Sequence, residues 1–141
     1  MKTRSTRPSP RSLAALGLLL ATLGASCSST PASPTGPSTK ETFSGTIGVG
    51  GSASHDVTVG TSSNLTVTLT SLVPQTTITV GLGVGQPDAA TGTCVLASYT
   101  NSANAGRAIT VAVNKGTLCT KIYDVGNILT TVDYTLSVEH Y

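Results

Sequence analysis

The 141-residue chain has no tryptophan, one phenylalanine and four tyrosines. So few rings leave no visible stacking platform of the kind sugar-binding sheets present. Tyr99, beside the segment 100–106, is the best-placed aromatic for a ligand, while Phe43, Tyr123 and Tyr134 sit in apolar strands and are assigned to core packing. Histidine is as scarce. His55 adjoins Asp56, but strand neighbours point to opposite faces, so that adjacency makes no oriented acid–base pair. His55 is read as an exposed strand residue and His140 as part of a frayed terminus. There is no G-x-S-x-G elbow for a nucleophile, and no His/Cys set has transition-metal spacing. The longest largely apolar run, 13 residues from Leu13 to Ala25, falls short of the roughly 20 that span a bilayer as a helix.

What is present begins with an address. Lys2, Arg4, Arg7 and Arg11 precede that apolar run, and Gly24-Ala25-Ser26-Cys27 follows it. Basic, apolar and small-residue regions in this order make an export signal. The four residues ending in Cys27 resemble the bacterial lipoprotein signal, with Gly24 where that pattern prefers Leu. The resemblance implies lipid attachment at Cys27 and a membrane partner through that anchor. The alternative is an ordinary secretory signal cleaved after Ser26 or Cys27. Either way the chain divides into a signal at 1–26, a Ser/Thr/Pro-rich tether at 27–41 and a folded domain at 42–141. The tether lacks apolar periodicity and has too little to bury.

Charge follows the same division. The whole chain carries +2, with eight basic and six acidic residues. Beyond Cys27, Lys40, Arg107, Lys115 and Lys121 face Glu41, Asp56, Asp88, Asp124, Asp133 and Glu139, so four cations against six acids leave −2. The basic excess belongs to the signal. No basic stripe remains for DNA or RNA, and no nucleic-acid partner is expected.

Within 42–141 apolar and polar residues alternate with period two, as in Leu65, Val67 and Leu69 or Val132, Tyr134, Leu136 and Val138. No segment of ten residues shows a helical stripe. Turn residues separate the runs at Gly48–Gly51, Gly60–Ser63, Val73–Gln75, Gly85–Asp88, Asn114–Gly116 and Gly126–Asn127. The expected fold is all-β: an antiparallel, jelly-roll-like β-sandwich with strands at 42–47, 53–59, 64–71, 77–84, 94–99, 107–113, 117–125 and 131–139. Gly81, Gly83 and Gly85 fall on one strand's outer face and imply close approach of another sheet or chain. Lipidation of Cys27 leaves Cys94 and Cys119 as a disulfide pair in an oxidising compartment; otherwise they are two buried thiols.

Four stretches resemble the bacterial pre-peptidase C-terminal domain, a β-sandwich appended to secreted proteins. They are Phe43–Ile47, His55–Val59, Lys115–Cys119 with Lys121–Tyr123, and Tyr134–Val138. Leu118 and Thr120 depart from it, standing where the family has an aromatic and an aliphatic residue. The resemblance implies a non-catalytic accessory sandwich. Some related domains bind calcium or collagen, but no acidic cluster precedes Phe43, so no binding residue carries over.

The densest polar turn, Tyr123–Asn127, offers Asp124 and Asn127 as calcium ligands, against the simpler reading of an aspartate bonding turn amides. No other cofactor is expected. The expectation is a non-catalytic, extracytoplasmic lipoprotein with a structural or interaction role at the cell envelope. The alternative is a binding or inhibitor module for an extracytoplasmic protein or polysaccharide, acting through 85–93 and 100–106. A hydrolase using Asp124 or His55 comes third.

Overall fold

Alternating Thr and Val, Leu or Ile residues give each strand a wet face and a dry one, and two sheets bury their dry faces together. The computed structural model describes residues 36–141. The signal, Cys27 and the tether up to residue 35 lie outside the described residues. Eight strands follow: β1 (Thr39–Ile47), β2 (Ser52–Val59), β3 (Ser63–Val73), β4 (Val80–Pro87), β5 (Cys94–Ala103), β6 (Ala108–Val113), β7 (Gly116–Tyr123) and β8 (Val132–His140).

They form two four-stranded sheets, ordered β1-β8-β3-β6 and β2-β7-β4-β5, in which all pairs are antiparallel. This is the double-sheet jelly roll. Leu65, Val67, Leu69, Leu136 and Val138 of the first sheet and Val57, Val59, Leu82 and Ile122 of the second belong to one buried core.

Several boundaries differ from the sequence reading, most of all the start of β1, the span of β4 and the end of β5, which runs on to Ala103 so that 100–103 of the expected loop 100–106 is strand. β1 starts at Thr39, within the stretch assigned to the tether, because its backbone pairs with β8 from Thr39↔His140 onward. That pairing also corrects the reading of His140, which is buried rather than frayed, with Nε2 2.7 Å from Glu41 Oε1. β4 lies three residues later than expected. The Asn127 side-chain amide donates to the Thr79 carbonyl and hydroxyl oxygens, holding that residue in the crossover. At its far end, Gln86 and Pro87 remain paired with β5 after pairing with β7 has ended at Gly85↔Cys119. Pro87 therefore sits where β4 has become an edge, the position a sheet tolerates for proline.

Cys94 and Cys119 are bonded, with a Cα–Cα distance of 5.8 Å. They join β5 to β7, strands separated in the sheet by β4. Gly85 makes that crossing possible, because a methyl group there would overlap the Val95 carbonyl.

Candidate functional site

The outer face of the β2-β7-β4-β5 sheet is built around the glycines of β4. Val80, Leu82 and Val84 point into the core, so Gly81 and Gly83 between them face outward. Two neighbouring strands fill the space over them. The Tyr123 ring, from β7, lies across Gly81, and Leu96 and Tyr99, from β5, flank Gly83. The glycine row read from sequence as a place for another sheet or chain is thus covered by this chain's own side chains. It also corrects the assignment of Tyr123 to the core. The ring is half-buried on the outer face, and its hydroxyl donates to Asn101 Oδ1.

Tyr99 stands beside it, 60% exposed. Burial raises the Tyr123 pKa above its ordinary value, and the adjacent Tyr99 adds to the shift. Lys121 lies opposite Gly83 on one side and Ser54 on the other. The result is an aromatic and aliphatic strip with amide, ammonium and hydroxyl groups around it. Sequence reasoning found Tyr99 but missed Tyr123, Asn101 and Lys121 as its neighbours. The detectable signal was the period-two glycine row, which needs large side chains beside it to fill its space.

The Asp124 carboxylate bonds turn amides, as the simpler reading of this turn expects. Asp124 Oδ1 accepts from the Gly126, Asn127 and Ile128 amides at 2.8–3.1 Å, and Oδ2 accepts from Gly50 at 2.8 Å. These bonds, Gly50 foremost, lower the carboxyl pKa. The side chain ties the β1–β2 turn to the chain leaving β7. Asn127 turns its amide to Thr79 instead. Among the described residues, no three His, Cys, Asp or Glu side chains gather in a metal-binding group.

His55 is not the exposed residue expected. It points between the sheets, stacked on Phe43 with centroids 4.7 Å apart, and its Nε2 lies 2.8 Å from the Tyr134 hydroxyl. Gly45 leaves room for that hydroxyl, which a methyl group there would approach to 2.6 Å. Burial lowers the His55 pKa. Each histidine side chain is therefore engaged within the fold, His55 with Tyr134 and His140 with Glu41.

The fold and this face define an eight-stranded jelly-roll sandwich with an aromatic strip on one outer surface. No protein-family model matches the chain, and no curated protein matches it in sequence. Among solved structures it is similar to PliG of Aeromonas hydrophila, a periplasmic lysozyme inhibitor of g-type lysozyme. The TM-score is 0.51 at 12% identity, over 70% of this chain and 83% of that one. At that identity the likeness is one of fold.

Proposed function

We propose that this chain is an exported, non-catalytic binding module that engages an extracytoplasmic protein through the Tyr99–Tyr123 face, with Cys27 as its lipid anchor. The carrying observation is the setting of Tyr99. A large amphipathic ring is left in solvent yet rooted on a rigid sheet beside Gly83. Such rings give contact area at low entropic cost and are enriched among residues that dominate interface energy. The engagement of both histidines and both described cysteines inside the fold supports a role without catalysis. The fold likeness to a lysozyme inhibitor favours the inhibitor form of this reading over a purely structural one. The lipoprotein resemblance at Gly24–Cys27 supports a cell-envelope address, and the pre-peptidase resemblance an accessory role.

The test is binding and inhibition of purified lysozymes, g-type enzymes included, together with capture of extracytoplasmic proteins on the immobilised domain. A saturable protein partner is expected. Tyr99→Ala should weaken its binding about tenfold or more without changing the melting temperature. Equal binding by the variant would remove the face from the proposal. Retention on insoluble polysaccharide alone, with no protein captured, would replace the protein partner by a glycan.

A further inference from the structure

The two sheets do not close equally along their sides. β5 and β6 are the free edges on one side, and a groove of about 400 Å³ opens there. Val84, Val111, Val113 and Leu118 supply its apolar lining, and Gln86 and Lys115 are among its polar groups. This groove is a separate feature from the tyrosine strip. At its start β5 is bonded to β7 through Cys94–Cys119 and passes against Gly85.

β6 borders the groove with an unguarded edge. Protein sheets protect free edges with charges, prolines or bulges. β1 carries Lys40 and Glu41, β2 carries Asp56, and β5 is interrupted by two register shifts. β6 reads Ala-Ile-Thr-Val-Ala-Val, without charge or proline, in unbroken register with β3.

Its hydrogen-bonding phase follows from one bond. The Leu69 amide donates to the Arg107 carbonyl, so Ile109, Val111 and Val113 also direct their backbone groups to β3. Ala108, Thr110 and Ala112 direct theirs to the open edge. The 3.0 Å contact between the Thr66 and Thr110 hydroxyls fits this phase, because side chains approach most closely in the non-hydrogen-bonded pairs.

Cations stand at both ends of the edge. Arg107 immediately precedes β6 and Lys115 lies two residues beyond it. Both are exposed, and neither forms an ion pair among the described residues. A second copy of β6 laid antiparallel would bring these like charges toward each other. An incoming strand with acidic ends would complement them.

We infer that the open edge of β6 accepts an extended, acid-flanked segment of a partner protein as an added antiparallel strand. Its backbone bonds to Ala108, Thr110 and Ala112, its inward side chains fill the groove, and its terminal carboxylates meet Arg107 and Lys115. Main-chain bonds supply affinity in this mode, while the pocket and the flanking charges supply selectivity.

The probe is a synthetic peptide of about nine residues, the length that spans Arg107 to Lys115 on an extended strand. It alternates threonine and valine and has aspartate at both ends; a matched peptide has lysine there. Binding to the intact domain is followed by titration and by amide hydrogen exchange. The aspartate peptide should bind at least about tenfold more tightly than the lysine peptide and should slow exchange at Ala108, Thr110 and Ala112. Thr110→Pro removes an edge N–H while leaving every bond to β3, so it should abolish binding with little change in melting temperature. Should it unfold the domain, the charge reversal Arg107→Glu with Lys115→Glu decides instead, by inverting the preference between the peptides. Equal binding of both peptides, protection elsewhere in the domain, or a concentration-dependent dimer protecting the same three amides would overturn the inference.

Discussion

His55 shows how a single side chain is reassigned by the fold. Between Asp56 and Ser54 it looks like a solvated strand residue, and its alternation phase with Val57 and Val59 is the feature that places it inside. Its imidazole is held between Phe43 and the Tyr134 hydroxyl, and burial lowers its pKa in the folded state. The neutral form is therefore favoured by folding. That stabilisation is complete above the unfolded value of about 6.5 and is lost as pH falls through the lower folded value. The melting temperature should drop by a few degrees as pH falls below about 6.5. His55→Phe, which keeps an aromatic ring but cannot titrate, should flatten that part of the profile. Superimposable pH profiles for the two proteins would refute this account.

At the scale of elements, the crossing of β5 over β4 has the largest structural consequences. In the chain-entropy picture a disulfide spanning 25 residues contributes roughly 3–4 kcal/mol. Here it also ties the start of β5 to β7 across β4. Gly85 is the position on which the arrangement depends, because the obstacle a side chain would meet is backbone. Gly85→Ala should destabilise the domain by about 1–3 kcal/mol, the usual range for overpacking. It should also let an alkylating reagent reach part of the Cys94 and Cys119 thiols without reductant, while the parent protein stays unlabelled. A variant that melts like the parent and resists labelling would show that β5 crosses without needing the glycine.

For the whole molecule, the jelly roll keeps its distinctive surfaces apart. One outer face carries Tyr99 and Tyr123, the open side carries β6 and its groove, and the Asp124 turn joins the ends of distant strands. An anchored module would present these surfaces at the envelope. Intact-mass measurement of protein from a membrane fraction should find a diacyl or triacyl adduct on Cys27. An unmodified chain starting near Ser28 would make the protein a freely secreted one and redirect the partner search to soluble ligands.

The sequence alone determined the all-β class and the number and order of strands, because strand periodicity and turn chemistry are local. It left Cys94 and Cys119 as either a disulfide or two buried thiols, and the fold decided for the bond by bringing their Cα atoms to 5.8 Å. The tertiary structure decided which of two alternating faces met the opposite sheet. It therefore decided that His55 lies inside, that Tyr123 lies outside over Gly81, and that β6 is left as an open edge. Asp124 shows the same dependence, since its Oδ2 partner, Gly50, is 74 residues away in sequence. Alternation defines two faces for every strand, but only the packing of the sheets decides which one meets water.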